Sequence, residues 1–396
     1  MYVVSLFFVI FIALMFKFMK KRDRSNLKRI SNDEIALQLG LTLKESKRYT
    51  LTKQQLKHLE QLKHFKARKS SEQDNAPFET TKHYWIKEKG LSRFVKVDQE
   101  ETALNIEDIK TFIKDLNINT TPIIRSIKSN KTLRIILTDV HVGMQPNENN
   151  YSLYNYTWNA EELEKRRLQI IQSVKDLDQV FEEIHVIDLG DLTDGFNAET
   201  TRGGHKLPQN MTNRQQFETA FKFKTTLLLQ LQSEFNCRIV NYNAVNCNHS
   251  ADLDFIVNQA VKMYVETSNK YIFVHNIEHF LGNYKHYGHT FVLTHGKDEK
   301  HMKFGLKPKM DLKTQTLLED YIRINSLNGK ITVEKGDSHQ QIVDECTSKV
   351  FDYNNYLAFS PPSGWVQTNF GSSKSGFNLM IINSKNNDKQ LLTKYF

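Results

Sequence analysis

Two stretches decide the fold of this chain, LRIILTDVH (Leu133–His141) and EIHVIDLGD (Glu183–Asp191). Each is a short run rich in branched aliphatic residues that ends in Asp, Gly or His. Three further stretches repeat the pattern, CRIVNYNAVNCNH, HTFVLTHG and ITVEKGDSH (237–249, 289–296 and 331–339), and helical sequence intervenes at 160–182 and 213–236. The pattern predicts an α/β fold with buried strands, in which the polar residues after the strands gather where such folds place their sites.

The chain can bury a sizeable core, because it has 396 residues, of which 39% are hydrophobic and 25% are charged. This composition excludes a wholly disordered or fibrous protein and leaves room for one large domain and a smaller one. The formal net charge is +9. The excess lies in Lys17–Ser70, which holds 16 Lys and Arg against 5 Asp and Glu, so the remaining chain is close to neutral. Such a segment favours an anionic partner, either nucleic acid or a membrane surface.

Residues 1–16 are uncharged and almost entirely apolar, and a basic run follows them. Three interpretations compete for the segment 1–18. A secretory signal peptide needs positive charge before the apolar stretch and a small-residue cleavage site after it, and both are missing. A membrane anchor would leave the body of the protein in the cytoplasm, although the apolar stretch is shorter than the roughly 20 residues of a span. An overextended reading frame, with translation starting at Met19, also gives a cytoplasmic protein, and the lack of a close cysteine pair agrees with a reducing compartment.

Residues 19–66 are predicted to form a basic helical domain. Capping-box signatures start at Ser31, Thr42 and Thr52 and predict short helices near 32–39, 43–49 and 53–66. The first two helices resemble a helix-turn-helix, whose second helix would offer Lys44, Lys47 and Arg48 to DNA. Ser46 departs from that pattern, because it stands where such motifs usually bury a branched apolar side chain. The alternative is a basic, solvated helical hairpin that only supports the main domain.

The remaining chain divides into three predicted segments. A polar linker covers 67–81. A small unit at 82–130 begins with a hairpin, HYWIKEKGLSRFVKVD, with Gly90 at its turn. An amphipathic helix follows in the same unit, and its apolar face carries Ile106, Ile109, Ile113 and Leu116. The large α/β domain is predicted over 131–385.

Five predicted strands end in residues that bind metals and move protons. In chain order they are Asp139 and His141, Asp191 and Asp194, Asn248 and His249, His295, and Asp337 and His339. Carboxylates, imidazoles and one amide suit divalent ions of borderline hardness such as Mn²⁺, Fe²⁺ or Zn²⁺. Two such ions can share a central Asp, and a water between them becomes a hydroxide that attacks phosphorus while the ions neutralise the phosphoryl group. The set therefore predicts phosphoester hydrolysis without a covalent enzyme intermediate.

The series Asp-x-His, Gly-Asp-x-x-Asp, Asn-His, His-Gly and Gly-x-x-His, over about 133–383, resembles the calcineurin-like metallophosphoesterase superfamily. That superfamily includes protein phosphatases, phosphodiesterases and the repair nucleases of DNA double-strand breaks. The resemblance implies a four-layer α/β/β/α sandwich, in which two stacked sheets are flanked by helices. It also implies that one ion is bound by Asp139, His141 and His339, that a second is bound by Asn248, His295 and Asp337, and that Asp191 bridges the two. His249 would contact the scissile phosphate and assist the leaving oxygen.

Three positions depart from the family pattern. Cys247 stands where the family has a Gly before Asn-His, and Ser250 replaces the acid that normally orients the histidine. The last motif begins with Asp337 in place of a His. A carboxylate there is still a competent ligand and shifts the preference towards harder ions, so Mn²⁺ is the favoured metal. The loss of the acid beside His249 weakens the case for an efficient general acid.

A loop after the second motif, TTRGGHKLPQNMTNRQQ (Thr200–Gln216), suits an anionic substrate. Its glycines let backbone N–H groups approach a phosphate, and its cations add charge. With Gly296–Lys309 it would form a basic rim over the acidic centre, and the predicted substrate-binding residues are Arg202, His205, Lys206 and Lys297. The alternative is an ordinary surface loop with solvated charges. This loop and PPSGWVQTNFGSSKSGF (Pro361–Phe377) also resemble phosphoesterases of phage and prophage genomes.

Three functions compete on these grounds. The first, which we favour, is a two-metal phosphodiesterase, a nuclease whose basic N-terminal helices hold DNA. The second is a phosphomonoesterase for phosphoproteins or small molecules, held at a membrane surface through residues 1–16. The third is a DNA-binding or scaffolding protein whose phosphoesterase domain has decayed, as Cys247, Ser250 and Asp337 would suggest.

Overall fold

The computed structural model of the chain describes residues 83–88, 91–96, 106–116, 129–147, 155–297, 305–371, 374–386 and 388–396. The chain forms two compact units with their boundary between Val97 and Asp98. The predictions for 1–18, 19–66 and 67–81, with the DNA contacts Lys44, Lys47 and Arg48, lie outside the described residues. None of the helices formed by the described residues is long and apolar enough to cross a membrane.

In the first unit the described residues form the predicted hairpin. Strand β1 (His83–Glu88) pairs antiparallel with β2 (Leu91–Lys96), and Tyr84 lies opposite Val95. Aromatic and β-branched residues in both strands favour this extended pairing. The unit boundary at Val97 separates the hairpin from the amphipathic helix with which the sequence groups it at 82–130.

The second unit alternates strands and helices, as the sequence predicts. Its described strands are β3 (Lys131–Leu137), β4 (Glu183–Asp188), β5 (Arg238–Ala244), β6 (Ile272–Ile277), β7 (Gly282–His286), β8 (His289–Thr294), β9 (Lys330–Lys335), β10 (Ile342–Asp344), β11 (Asp352–Asn355), β12 (Gly376–Asn383) and β13 (Asp388–Tyr395). Its described helices are α1 (Ile106–Asp115), α2 (Ala160–Lys175), α3 (Asn213–Phe235), α4 (Ala251–Ser268), α5 (Leu312–Ile324) and α6 (Gly364–Phe370). Strand β13 extends the unit beyond the predicted domain end at 385.

The two long predicted helices are present, and one of them is shorter than the sequence suggests. Helix α3 begins at a capping box, in which the Thr212 hydroxyl and the Gln215 side chain satisfy each other's backbone N–H groups. Helix α2 ends at Lys175 and does not continue to 182. Asp178 has a left-handed backbone (φ 49°), and Phe181 is buried in the core, so the chain has already turned back towards β4.

The first sheet has six strands in the order β13-β12-β3-β4-β5-β6. Strands β3, β4, β5 and β6 are parallel, whereas β12 and β13 continue the sheet antiparallel on the β3 side. The second sheet has five strands in the order β10-β11-β9-β8-β7, and its central strands β11, β9 and β8 are parallel. The carboxyl ends of β3, β4 and β5, and of β8 and β9, therefore face one way within each sheet.

Three separate apolar layers show that the second unit has four layers of secondary structure. On β3 the side chains of Leu133 and Ile135 join the core between the first sheet and helices α2, α3 and α4, whereas Ile136 points into the core between the two sheets. On the second sheet Phe291 faces the other sheet, and Val292 packs with Leu318 of α5. This alternation follows the two-residue period of a strand. The predicted α/β/β/α sandwich of two stacked sheets flanked by helices is confirmed.

The segments that follow the five key strands come together across both sheets. In the first sheet, the Asp139 N–H donates to the Gly190 carbonyl over 3.0 Å. In the second, the Gly336 N–H donates to the His295 carbonyl over 3.2 Å. Between the sheets, the Asp337 N–H donates to Oδ2 of Asp139 over 3.1 Å. Polar residues that are far apart in sequence are thus held at one edge of the sandwich.

Candidate metal centre

The backbone of the strand-end residues is strained. Five of them have left-handed φ values between 47° and 67°, namely Asp139, His141, Asp191, Asp337 and His339. Residues other than Gly avoid this region, because a left-handed backbone costs them about 1–2 kcal/mol each. Such strain persists only where the surroundings fix it, and it concentrates at functional sites. Its recurrence at one edge of the sandwich marks that edge as the candidate site.

Gly190 shows how tightly the strand ends are packed. Its φ is +100°, and a Cβ at this position would lie 2.8 Å from the Ala244 carbonyl oxygen and 3.0 Å from Nδ1 of His295. Only Gly combines this backbone conformation with such close neighbours. The Gly of the Gly-Asp-x-x-Asp motif thus brings β4, β5 and β8 close enough for Asp191 to contact ligands from both sheets.

The first group of ligands consists of Asp139, His141 and His339. Oδ1 of Asp139 lies 3.3 Å from Nε2 of His339 and 3.7 Å from Nε2 of His141, and all three side chains are buried. Oδ2 of Asp139 accepts hydrogen bonds from the Thr138 hydroxyl (2.6 Å) and the Asp337 N–H (3.1 Å). Oδ1, in contrast, is buried without a hydrogen-bond partner. A buried carboxylate oxygen left unsatisfied between two imidazoles suits a metal ion.

The second group consists of Asp191, Asn248, His295 and Asp337. Nε2 of His295 lies 3.0 Å from Oδ2 of Asp191, 2.9 Å from Oδ1 of Asn248 and 3.9 Å from Oδ1 of Asp337. Nδ1 of His295 lies 2.9 Å from the Leu189 carbonyl. Because a carbonyl only accepts, Nδ1 carries a proton, and Nε2 is therefore the atom that a metal ion would bind after displacing its proton.

Asp191 lies where the two groups meet. Its carboxylate shares a cluster with Asp139 and His295 and another with His141 and His249, and the ligand atoms in each cluster lie within 4.8 Å of one another. Oδ1 of Asp191 also accepts the His249 N–H over 3.2 Å. This position suits a carboxylate that bridges two ions. The structure therefore brings together all seven residues that the sequence predicts as metal ligands.

The charges of this centre perturb one another strongly. Burial, the largest single influence, would raise the pKa of Asp191, but the imidazoles of His295, His249 and His141 together hold it below its usual range. Burial would lower the pKa of His295, but Asp191 raises it to about 9. Burial is also the largest single influence on Asp139, but His339, His141 and His295 together hold its pKa well below its usual range. Protonated imidazoles thus balance the carboxylates in the metal-free centre, and bound metal ions would displace those protons.

Asp194 holds the ring of His249, beside which Ser250 replaces the family's acid. Nδ1 of His249 lies 2.7 Å from the Asp194 carbonyl oxygen and 3.7 Å from Oδ1 of the Asp194 carboxylate. The same carboxylate lies 3.3 Å from Nδ1 of His141. Oγ of Ser250 instead lies 2.9 Å from the Thr193 carbonyl oxygen. Ser250 thus does not contact the His249 ring, and the second Asp of Gly-Asp-x-x-Asp holds the ring instead.

Asp254 is a supporting residue that the sequence reasoning missed. Its buried carboxylate accepts from the Leu192 N–H (2.9 Å), the Thr193 N–H (2.9 Å) and the Ser250 hydroxyl (3.0 Å). The Cys247 thiol also donates to it over 3.2 Å. Asp254 thereby joins the loop after β4 to the loop after β5. The available signal was an acidic residue in the first turn of α4, directly after the Asn-His motif.

In the predicted substrate loop, Arg202 lies against the centre, whereas His205 and Lys206 are exposed. The Arg202 N–H donates to the Asn248 carbonyl over 3.1 Å. Its guanidinium donates to the Lys297 carbonyl over 2.8 Å and to the Asn246 side chain. Lys206 is exposed and forms an ion pair with Glu199 within the loop. His205 is exposed as well, and its N–H donates to the Thr200 hydroxyl over 2.9 Å.

Comparison with known proteins finds solved structures that are similar to this chain at low sequence identity. No family model and no curated protein matches the chain. It is similar to Vps29 from Entamoeba histolytica complexed with Zn²⁺, with 12% identity and a TM-score of 0.30 over 66% of this chain and 98% of that one. It is also similar to a predicted phosphoesterase from Streptococcus pneumoniae (10% identity, TM-score 0.26, 67% of this chain and 100% of that one). A putative 5'-nucleotidase from Staphylococcus aureus has 9% identity and a TM-score of 0.26, over 67% of this chain and 53% of that one. At these values the function rests on the chain's own residues.

Proposed function

We propose that this chain is a two-metal phosphoester hydrolase of the calcineurin-like type that cleaves phosphodiesters, with DNA as its substrate and Mn²⁺ as its favoured metal. One observation carries the proposal. The seven predicted ligands, Asp191 and six others, come together from five strand ends, five residues of the site have left-handed backbones, and Oδ1 of Asp139 is buried without a hydrogen-bond partner. Buried carboxylates arranged in this way are costly to a protein unless cations neutralise them.

The donor set fits two divalent ions. Asp139, His141 and His339 would bind the first, and Asn248, His295 and Asp337 the second, with Asp191 between them. When bound, the ions would supply a low-pKa water and neutralise charge on a phosphoryl group. Asp337 in place of a His makes the second ligand group richer in oxygen, which supports Mn²⁺ over Zn²⁺.

The protein's own residues would position the substrate and handle the proton of the leaving group. The contact between His249 Nδ1 and the Asp194 carbonyl fixes the ring and places the Nδ1 proton in a hydrogen bond. Nε2 is then the atom that can deliver a proton to the departing oxygen. The His141 ring, with its centroid 4.5 Å from that of His249, packs against it edge-on and limits its rotation. His249 is thus the proposed general acid, and Asp194 its positioning residue.

The preference for DNA rests on charge. Lys17–Ser70 contributes most of the basic excess of the chain, and phosphate contacts from such a segment give affinity without sequence preference. Arg202 adds a cation at the loop that contacts the Asn248 segment. Lys206 and His205 supply further positive or polar groups on the exposed part of that loop. If this interpretation is right, deletion of residues 1–70 weakens DNA binding and flattens its salt dependence.

One assay tests the substrate class. The protein with Mn²⁺ is incubated with labelled single- and double-stranded DNA, RNA, a small phosphodiester and a phosphomonoester. Asp191→Asn is the blank, and Asp252→Asn, an exposed carboxylate on α4, is the matched control. We expect cleavage of DNA and of the diester, lost in Asp191→Asn and kept in Asp252→Asn. Faster turnover of the monoester would favour the phosphatase alternative, and equal activity of wild type and Asp191→Asn would contradict both.

A further inference from the structure

A second cluster of ligand side chains lies away from the candidate centre. Glu183, His185 and His286 each offer one ligand atom, and the three atoms lie within 4.8 Å of one another. Glu183 is the first residue of β4 and His286 the last of β7, whereas the centre follows the opposite end of β4. This cluster therefore lies between the two sheets at the other edge of the sandwich.

The geometry of the three side chains is compact. Nε2 of His185 lies 3.0 Å from Oε2 of Glu183, and the His185 and His286 ring centroids are 4.4 Å apart. Neighbouring ligands of a tetrahedral Zn²⁺ with bonds of about 2.0 Å lie about 3.3 Å apart. Nε2 of His286 lies 2.8 Å from the Thr132 hydroxyl, a contact that orients the ring in the way that outer-shell groups orient metal-binding histidines.

A second observation also points to a ligand. His185 is 2% exposed, and its Nδ1 is buried without a hydrogen-bond partner. Buried polar nitrogens are rarely left unsatisfied in proteins. The ring is packed among aromatic side chains, with the Tyr284 ring centroid 5.7 Å from its own, so no water-rich surface relieves it. Nε2 of His185 faces Glu183 and is the atom that would bind the ion, while the lone Nδ1 shows that hydrogen bonds within the protein do not fully satisfy this buried ring.

The charge state of the cluster suits a divalent ion. Burial lowers the pKa of His185, and burial together with His185 lowers the pKa of His286 to about 4, so both imidazoles are neutral at pH 7. The hydrogen bond from His185 lowers the pKa of Glu183, which is therefore ionised. The nearby Arg134 is neutralised by a bidentate pair with Glu334, at 2.7 and 2.5 Å. Two neutral imidazoles and one carboxylate are a ligand set that Zn²⁺ takes in proteins.

We propose that Glu183, His185 and His286 form a separate transition-metal site of the Zn²⁺ type, which links the two sheets at the edge remote from the candidate centre. Glu183 and His185 belong to the first sheet, and His286 belongs to the second. A single ion would therefore cross-link them and stabilise the native state over the unfolded one. The side chain of Glu183 is 22% exposed, which gives the ion a route from solvent.

The test uses the full chain with the candidate centre disabled by Asp139→Asn and Asp191→Asn. After loading with Zn²⁺ and dialysis, we expect this protein to keep one equivalent of zinc and to melt at a higher temperature than its EDTA-treated form. X-ray absorption at the zinc edge should show nitrogen and oxygen ligands without sulfur, which excludes Cys237 and Cys247. This protein lacks two of the seven proposed ligands of the centre, including the central Asp191, so zinc that is lost only when Glu183 or His286 is also replaced reports on the second cluster and not on the proposed hydrolase function.

Two further variants on the same background decide the assignment. His286→Gln should lose the zinc and the thermal shift, and Glu183→Gln, a change at a partly exposed residue, should do the same if His286→Gln does not fold. The matched control is His275→Gln, which removes an exposed imidazole from β6. Zinc retained at full occupancy in His286→Gln or Glu183→Gln, or zinc absent from the cooperatively melting parent protein, would overturn the proposal.

Discussion

Two groups of buried charges in this protein differ in almost every respect. Arg134 and Glu334 face each other between the two sheets, from regular strands β3 and β9, and both are buried. The guanidinium donates twice to the carboxylate and once to the Tyr284 hydroxyl (2.8 Å), and the Tyr356 hydroxyl donates to Glu334 over 2.9 Å. The candidate metal centre at the strand ends, here called the strand-end centre, has strained backbones, ligand oxygens of Asp139 and Asp191 within 4.8 Å of each other, and a buried carboxylate oxygen without a hydrogen bond.

The contrast separates a structural ion pair from a functional one. The Arg134–Glu334 pair is balanced and hydrogen-bonded within the protein, so it needs no further cation. The strand-end centre is balanced only if imidazoles hold protons or metal ions take their place. Burial alone does not distinguish the two. Backbone strain together with a buried carboxylate oxygen that lacks a hydrogen bond distinguishes the centre from the ion pair, and four experiments test that distinction.

The largest effect is expected from Asp191→Asn. If Asp191 bridges two ions as proposed, its loss should reduce the proposed phosphoester hydrolysis on the order of 10³-fold, which corresponds to several kcal/mol of lost charge stabilisation in the transition state. The melting temperature of the protein in EDTA should fall only modestly, because the His295 imidazole can lose its proton when the Asp191 carboxylate is gone. Steady-state kinetics with Mn²⁺ and thermal melts in EDTA measure the two effects. Loss of folding without a specific loss of turnover would make Asp191 structural.

Glu334→Gln should show the opposite pattern. It leaves the Arg134 charge buried without its partner and should lower the free energy of unfolding by about 3–5 kcal/mol. The turnover number per folded molecule should stay near that of wild type, because Glu334 lies between the sheets and does not contact the strand-end centre. Urea denaturation and active-site titration measure these effects. In the double variant Glu334→Gln/Arg134→Met, part of the stability should return; a further loss would contradict this account of the pair.

Substitution of His249 should separate proton transfer from metal binding. His249→Asn should reduce the turnover number by about 10²-fold while the metal content stays constant, since the seven proposed ligands remain. Asp194→Asn should have a smaller effect, about 10-fold, because the Asp194 backbone carbonyl still holds the ring. Metal analysis of both variants is the control. A His249→Asn protein that has lost its metal would place His249 among the ligands.

The smallest effect is a pH dependence of stability with opposite signs at the two edges of the sandwich, measured in EDTA. The folded pKa of His295 is about 9, above the unfolded value of roughly 6.5, so its contribution is present below pH 6.5 and is lost as the pH rises to 9. The folded pKa of His286 is about 4, so the unfolded state binds the proton first and stability falls from pH 6.5 to 4. Urea denaturation across this range should show each decline. His286→Gln should flatten only the acidic side; an unchanged acidic side would contradict the assignment.

Much of the fold follows from local patterns in the sequence. The runs around Ile135, Val186 and Val292 predict buried strands, because branched residues in short blocks between helices are typical of α/β sheets. The end of α2 at Lys175 could not be predicted, since residues 176–182 keep a helix-compatible composition and only the packing of Phe181 turns the chain.

The residues that meet at the strand-end centre could be predicted, but the supports around them could not. The Asp, Asn and His residues of the five motifs stand out in the sequence, because each follows a predicted strand. The roles of Asp194 and Asp254 depend on contacts that link distant segments, such as the 2.7 Å contact between His249 and the Asp194 carbonyl. The sequence also contains no local signal for the left-handed backbones of Asp139 and Asp191, because Asp occurs in many backbone conformations.

A crystal structure of the full chain loaded with Mn²⁺, with anomalous scattering recorded at the manganese edge, tests the central claim most directly. We expect two anomalous peaks at the strand-end centre, one among Asp139, His141 and His339 and the other among Asn248, His295 and Asp337, with the Asp191 carboxylate contacting both. The same crystals of Asp191→Asn should show weaker or missing peaks. A single peak, or none, in the wild-type protein would contradict a two-metal centre.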